Sequence, residues 1–361
     1  MAESTVATAN VAEQWSKKFI YEYFRKNQFT GDMGKSGTKP IHVVEELGKM
    51  DGEAITITLL GQLDGDGVSG TGVLSGSEEH ADNFGHKVEV VDYANAVKIH
   101  KSEQRKSVVD LLEKFRPTLM NWAQNHMRDK IIDALGSAQV NGTQKYADCS
   151  EANKDTWVAL QNPDTTNHRV LFGSAKSVYN GQTADHSDAL GDVTSAMTFG
   201  TDAASLMRRM ARTCTPKIPP IRVNGREEVY IIYAATEAFR DFKETSSYQT
   251  LLSDAAVRGR DNDLFRAGDL FWDGCIIKEI PEIPSLGAVG SSSAVLTTCY
   301  LVGAQAIGVA YGQKPTPIDE KVDYRRKRGV GVEFAYGVEK MHFEGTTQHG
   351  VVTGYMAGAL D

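Results

Sequence analysis

The sequence predicts an α+β fold in which an extended β-hairpin leads into a long helix and the last third of the chain is rich in strands. Glu53 to Leu63 (EAITITLLGQL) and Lys87 to His100 (KVEVVDYANAVKIH) alternate apolar and polar residues, which is typical of half-buried strands. Ser102 to Leu135 instead carries apolar residues at helical spacing. Ala294 to Met356 returns to apolar runs separated by turn residues, which indicates further strands.

The predicted hairpin and helix are both long for a chain of this size. The helix would measure about 50 Å at 1.5 Å per residue, and the hairpin about 35 Å at 3.3 Å per residue. A compact domain of this chain length has a radius of gyration of only about 20 Å. We therefore expect the apolar face of the hairpin, which is formed by Ile55, Ile57 and Leu59, to be buried against another copy of the chain.

Composition excludes several classes of protein. The 361 residues carry a net charge of -8, with 41% apolar and 24% charged residues, which is ordinary for a globular protein and argues against a general nucleic-acid-binding surface. No apolar run reaches the 18 residues of a membrane span, and the N-terminus does not resemble a signal peptide, so we expect a cytoplasmic protein without membrane contact. The cysteines are widely spaced and are expected to be buried free thiols: Cys149, Cys214, Cys275 and Cys299.

The first 50 residues are expected to form an arm with one amphipathic helix. Trp15, Phe19 and Tyr23 recur every four residues among basic side chains. Such a helix is expected to dock on a neighbouring protein, and a membrane surface or nucleic acid is the alternative. Further along the chain, Pro117 is expected to kink the long helix, and the polar segment from Val140 to Thr166 is expected to be loop-like.

Several motifs imitate ligand sites but lack the context that those sites need. Gly65 to Gly70 matches the G-x-G-x-x-G dinucleotide fingerprint, yet the glycine-rich residues after it cannot start the helix that binds the pyrophosphate. Asp64 and Asp66 begin a calcium-like loop whose later ligand positions are missing. We predict no cofactor and no metal, although a weak ion site remains conceivable around the acidic residues of this tip: Asp64, Asp66, Glu78, Glu79 and Asp82.

No catalytic constellation can be named, which favours a structural role over an enzyme. No nucleophile elbow, Walker loop, kinase signature or zinc-hydrolase motif is present. A basic run at Arg325 to Arg328 precedes a predicted strand. It is either a solvated turn or a contact for acidic residues of a neighbour or for phosphate.

The order of these parts resembles the major capsid protein of tailed bacteriophages, with the Hong Kong 97-type fold. More specifically, Gly52 to Glu79 (GEAITITLLGQLDGDGVSGTGVLSGSEE) resembles the capsid family of the N4-like phages. Gln104 and Arg105, Val229 to Ala234, Asp269 to Ile277 (DLFWDGCII) and Leu301 to Gly312 (LVGAQAIGVAYG) also resemble that family. The polar segment at 140–166 departs from the pattern as an insertion.

The resemblance implies a subunit with an N-terminal arm, an extended β-hairpin loop (E-loop), a peripheral domain with a long spine helix, and an axial domain. The corresponding segments are 1–50 for the arm, 51–101 for the E-loop, 102–169 for the peripheral domain, 170–298 for the axial domain and 299–361 for further peripheral strands. Subunits would form the hexamers and pentamers of an icosahedral head that encloses double-stranded DNA. They would assemble in the host cytoplasm and become part of the virion.

Partners and contact residues follow from the same resemblance. Portal, scaffolding and decoration proteins are expected partners, and packaged DNA would be contacted only weakly because the subunit is acidic. Three alternatives stay open: an encapsulin-like compartment shell, an α/β enzyme with a metal-binding acidic loop, and a receptor-binding or adhesion module. The residues expected at inter-subunit contacts are Trp15, Phe19, Tyr23, Ile55, Ile57, Leu59, Asp64, Asp66, Glu78, Glu79, Arg325 and Arg326.

Overall fold

A computed structural model describes residues 27–45, 54–60, 65, 67–72, 75, 78–79, 83–106, 111–140, 142–161, 169–174, 188–214, 216–223, 227–250, 269–343, 347–348 and 350–358. Its α-helices are α1 (Lys101–Lys106), α2 (Leu111–Gly136), α3 (Glu151–Gln161), α4 (Thr201–Thr213) and α5 (Thr236–Glu244). Its strands are β1 (Met33–Gly34), β2 (Ile41–Val44), β3 (Ala54–Leu60), β4 (Asn83–Glu89), β5 (Val91–His100), β6 (Ser137–Gln139), β7 (Thr143–Lys145), β8 (Val170–Phe172), β9 (Ile221–Val223), β10 (Glu227–Ala234), β11 (Leu270–Trp272), β12 (Cys275–Glu279), β13 (Leu296–Val302), β14 (Ile307–Val322), β15 (Lys327–Lys340), β16 (His342–Phe343), β17 (Thr347–Gln348) and β18 (Val351–Ala357).

The chain divides into two compact units. The larger unit is built from Gln28–Val91, Met127–Gly312 and Tyr336–Asp361, and the smaller unit contains Asp92–His126 and Gln313–Ala335. Strands β14 and β15 run through both units. None of the described helices is long and apolar enough to cross a membrane.

A seven-stranded sheet forms the centre of the larger unit. Its strand order is β11-β12-β10-β13-β18-β8, and β9 pairs with β10. β10 runs parallel to β12 and antiparallel to β13, which in turn is antiparallel to β18. Each residue of β13 and of β18 is buried, so both strands lie in the interior of the unit. This explains why apolar residues occupy both faces of these strands without strict alternation.

Two apolar clusters surround this sheet. In one cluster, Met207 of α4 and Phe242 of α5 pack with Ile232 and Leu301 of the sheet. The other cluster is aromatic and centres on Tyr146, Trp157, Phe172 and Tyr355, whose ring centroids lie 5.3–6.4 Å apart. Both clusters are fully formed within one chain, which indicates that the larger unit folds without a partner.

The smaller unit combines the first part of α2 with the outer parts of β14 and β15. β5 pairs with β15 here. The ring of Phe334 lies 5.8 Å from Tyr93, 5.5 Å from Trp122 and 5.9 Å from His126. Leu112 and Leu119 of α2 are buried, as the predicted apolar stripe requires.

The structure differs from the sequence-based expectations at two places. Lys87 to His100 was expected to be one strand of the extended hairpin, but the chain divides it between β4, which pairs with β3, and β5, which pairs with β15. The hairpin is therefore shorter than predicted. The polar segment at 140–166 contains a helix, α3, because Trp157 and Val158 bury one side of it.

Candidate functional site

The candidate functional features are the surfaces with which one copy of the chain could meet another. The first of these features is the hairpin formed by β3 and β4. Its register places Ile55 opposite Val88 and Ile57 opposite His86. Ile55 and Leu59 are buried and Ile57 is half-buried, whereas Leu60 at the outer end is 73% exposed. One face of the hairpin is thus already covered within the single chain.

The hairpin is covered by β14 and β15 of its own unit. Ile55 and Val88 pack against Ala310. At Gly308, an added Cβ would lie 3.0 Å from Cδ1 of Ile57, so the isoleucine side chain rests against the bare backbone of β14. At Gly337, an added Cβ would lie 1.9 Å from the carbonyl oxygen of Glu89. Glycines in β14 and β15 therefore allow the hairpin to pack closely against these two strands.

Ile55 and Ile57 thus already pack against their own chain, so a neighbouring copy is not needed to cover them. Contact of Ile55, Ile57 and Leu59 with a neighbouring copy stays a prediction. The sequence shows that these residues form an apolar face, but it does not show which strand covers the face. Two glycines in strands more than 200 positions further along the chain allow a close approach within the subunit. The face consequently contributes to the stability of the subunit.

Replacing Ile57 with Asp should therefore destabilise the subunit itself. A carboxylate at this position would lose water against Gly308 and Val88, and we expect the free energy of unfolding to fall by about 1–3 kcal/mol. Urea denaturation measures this loss. Thr58→Asp, on the exposed face of the same strand, is the control and should change stability little. An unchanged unfolding midpoint for Ile57→Asp, together with lost assembly, would restore the original expectation.

At the outer end of the hairpin, an acidic side chain ties the loop together. The backbone N–H of Gly65 donates to both carboxylate oxygens of Glu79, each at 2.9 Å. Glu78 and Glu79 are exposed, whereas Asp64 and Asp66 lie outside the described residues. Among the residues that the structure describes, no three His, Cys, Asp or Glu side chains form a group that could hold a metal ion. Glu79 thus has a local structural role, which the spacing of the acidic residues did not indicate.

The turn between β14 and β15 is the second exposed feature. Asp323, Tyr324 and Arg325 are three consecutive non-glycine residues with positive φ angles of 57°, 51° and 67°. Each residue in this left-handed conformation costs about 1–2 kcal/mol. The turn is held by the N–H of Arg326, which donates to the carbonyl oxygen of Asp323 at 2.8 Å, and by the N–H of Lys101, which donates to the carbonyl oxygen of Arg326 at 2.8 Å.

This strained turn presents one aromatic and two basic side chains together. Tyr324 is fully exposed, and the next two residues, Arg325 and Arg326, are exposed as well. We call residues 323–326, the turn between β14 and β15, the hairpin tip. It is distinct from the outer end of the β3–β4 hairpin. Sequence reasoning identified the two arginines but missed Tyr324, for which the only available signal was an aromatic residue inside a run of charged residues. Strained backbone that carries exposed Tyr and Arg is typical of a contact site.

The N-terminal segment is anchored where the described residues begin. Phe29 is fully buried and its ring meets that of Tyr233 edge-on, with centroids 4.9 Å apart. Asp32 accepts hydrogen bonds from the Tyr233 hydroxyl at 2.8 Å and from Nζ of Lys278 at 2.7 Å. Burial and the nearby Asp32 raise the pKa of Tyr233 well above its usual range, so the hydroxyl keeps its proton. Trp15, Phe19 and Tyr23 lie outside the described residues.

The four cysteines are buried free thiols, as the sequence predicts. Burial raises the pKa of Cys275 to about 12, with Arg208 and Asp273 as smaller influences of opposite sign. A thiol that stays protonated at neutral pH is a poor nucleophile. Cysteine chemistry at Cys275 is thus suppressed by its place in the core.

Comparison with known proteins finds similarity to phage capsid proteins over nearly the whole chain. The family described as phage capsid protein matches residues 4–358. The major capsid protein of Pseudomonas phage KPP25 is 27% identical over 363 residues, which cover 95% of this chain and 94% of that relative. The cyanophage Pam1 capsid asymmetric unit matches with a TM-score of 0.87 and 29% identity over 100% of both chains. The capsid of Ralstonia phage GP4 matches with a TM-score of 0.75 and 17% identity over 99% of both chains.

Proposed function

Because this chain belongs to the phage capsid protein family, it is a structural component of the virion that assembles into an icosahedral shell, and we propose that it does so through hexamers and pentamers. The observation that supports this proposal best is the full-length likeness to the cyanophage Pam1 capsid, with a TM-score of 0.87. Because the match covers 100% of both chains, it favours the same role in a capsid for this chain. The compartment, enzyme and adhesion alternatives have no comparable support.

We propose that the hairpin tip is one inter-subunit contact, with Tyr324 as its anchor and Arg325 and Arg326 next to it in the chain. A fully exposed tyrosine gains by leaving water, and the two arginines can pair with carboxylates of the neighbour. Tyr and Arg are also the residues in which binding energy concentrates at interfaces. The strain of three left-handed residues would then be repaid by a contact that forms only in the shell.

A second proposed contact is the acidic end of the E-loop hairpin. Leu60 and the acidic residues Glu78 and Glu79 are exposed there, and Asp64 and Asp66 belong to the same loop by sequence. This end carries the opposite charge to the hairpin tip. Opposite charges on two exposed loops of one subunit suit contacts between copies, because identical subunits must offer complementary surfaces to one another.

The remaining proposals concern the arm, the domains and other partners. The residues before Phe29 are proposed to strap neighbouring subunits, through Trp15, Phe19 and Tyr23, starting from the anchor at Asp32. The five-segment division into arm, E-loop, peripheral and axial parts of a Hong Kong 97-type subunit is retained as a proposal. So are assembly in the host cytoplasm and contacts with portal, scaffolding and decoration proteins. A net charge of -8 favours weak contact with the packaged DNA.

Negative-stain electron microscopy tests the proposed assembly. The full-length protein is expressed alone and, separately, together with the other head proteins of its phage. We expect closed shells or five- and six-fold rings in at least the second preparation. Discrete small oligomers in both preparations, from protein whose unfolding is cooperative, would contradict assembly through hexamers and pentamers.

A further inference from the structure

A group of basic side chains is buried beside the central sheet of the larger unit. Lys340, at the end of β15, is 2% exposed, and His342, at the start of β16, is 3% exposed. Arg169, just before β8, is fully buried, and His86 of β4 is 7% exposed. Lysine and arginine are rarely buried to this extent unless they are paired. The group therefore calls for a specific explanation.

The described residues satisfy only part of this group. Arg169 donates to the carbonyl oxygens of Gln348 and Pro216. Nε2 of His86 lies 3.4 Å from the Glu339 carboxylate, and its ring centroid lies 5.3 Å from that of His342. The terminal nitrogens of Arg169 are thus satisfied and His86 has the Glu339 carboxylate as a neighbour, whereas Nε of Arg169 and Nε2 of His86 lack hydrogen-bond partners among the described residues.

In Lys340 and His342, every side-chain nitrogen lacks a hydrogen-bond partner among the residues that the structure describes. This holds for Nζ of Lys340 and for both ring nitrogens of His342. The hydroxyl of Thr353 and Oε1 of Gln348 are also buried without partners. The backbone links these residues, since His342 pairs with Gln348 and the N–H of Thr353 donates to the carbonyl oxygen of Arg169 at 2.9 Å.

Burial of a cation without a counter-charge is unfavourable, and the molecule can respond in two ways. The lysine can lose its proton, and burial together with the nearby Arg169 does lower the pKa of Lys340 to about 7. Alternatively, an anion can enter and neutralise the group.

We propose that this group is a binding site for one small inorganic oxyanion of the phosphate type, held by Nζ of Lys340, a ring N–H of His342 and the hydroxyl of Thr353. Unpartnered donors on β15, β16 and β18 suit the several acceptor oxygens of such an ion. Its charge would balance those of Lys340 and Arg169. The bound ion would connect β4 of the E-loop hairpin with the central sheet. His342, which lies next to His86, would bind it on the hairpin side, and Thr353 would bind it on the sheet side.

Urea unfolding of the purified full-length subunit tests the site, with inorganic phosphate exchanged for chloride at constant ionic strength. At a phosphate concentration 100 times Kd, the ratio of folded to unfolded protein should rise about 100-fold. Lys340→Met should lose this dependence, and Thr353→Val should weaken it with little change in shape. Lys321→Met, on the exposed part of β14, is the matched control and should keep the full dependence.

Two results would overturn the proposal. Phosphate also stabilises proteins by exclusion from their surface, so an equal phosphate dependence in wild type, Lys340→Met and Thr353→Val would show that no site exists. If phosphate has no effect on the wild type at all, no oxyanion occupies the group and the proposal fails. Thr353→Val carries the test alone if Lys340→Met does not fold.

Discussion

Replacing Tyr324 with Gly should block shell assembly and leave the subunit folded. The tyrosine side chain is fully exposed, so the subunit loses no packing, and glycine adopts the φ angle of 51° without strain. The free energy of unfolding should stay within about 1 kcal/mol of the wild-type value. In assembly, loss of an anchor residue removes about 2 kcal/mol per contact. That loss raises the protein concentration needed for each contact about 30-fold, and it is repeated in every copy of the shell.

Light scattering and sedimentation measure assembly, and urea denaturation measures the subunit in parallel. Tyr324→Phe keeps the ring and should assemble nearly as well as the wild type. Lys321→Ala removes an exposed side chain from the same hairpin and controls for a general effect of substitution there. Normal shells from Tyr324→Gly at the wild-type concentration would show that the strained tip is not an anchor.

Replacing Gly337 with Ala should damage the subunit instead. The added Cβ would lie 1.9 Å from the carbonyl oxygen of Glu89 and 3.0 Å from Cγ1 of Val88. The first of these is a backbone atom, so the clash can be relieved only by displacing β4 from β15. We expect a loss at the upper end of the about 1–3 kcal/mol that overpacking costs, with faster amide hydrogen exchange in residues 83–89.

A matched control lies in the same strand. At Gly329 an added Cβ would lie 3.6 Å from its nearest neighbour, which is ordinary contact, so Gly329→Ala should be tolerated. If Gly337→Ala were as stable as Gly329→Ala, with unchanged amide hydrogen exchange in β4, packing of the hairpin would not depend on the close approach at Gly337. The two variants together thus separate the loss of a glycine from the loss of close approach.

The sequence predicted those elements whose pattern has one explanation. The apolar run of β10 could only be a buried strand, and the stripe of α2 could only be one face of a helix. The sequence did not reveal strand partners, because alternation in β5 is the same whether the strand pairs with β3 or with β15. α3 was missed because its few apolar residues, Trp157 and Val158 among them, are outnumbered by polar ones.

The candidate site was predicted less completely, for a physical reason. Exposed charged residues such as Arg325 and Glu79 can be listed from the sequence, but strain at Tyr324 depends on φ angles that only the folded turn has. The buried basic group joins residues from 86 to 353, which no spacing rule connects. The contact of Ile57 with Gly308 joins strands that no spacing rule connects, and contact of Ile55, Ile57 and Leu59 with a neighbouring copy stays a prediction.

The most direct test of the account is a cryo-electron microscopy reconstruction of the assembled shell, read at the hairpin tip. We predict that Tyr324, fully exposed in the single chain, is buried against another copy in the shell, with Arg325 or Arg326 paired to a carboxylate of that copy. The face of Ile55 and Leu59 should remain covered by its own subunit. A tip that stays in solvent while the hairpin face is covered by a neighbouring subunit would contradict the account at both points.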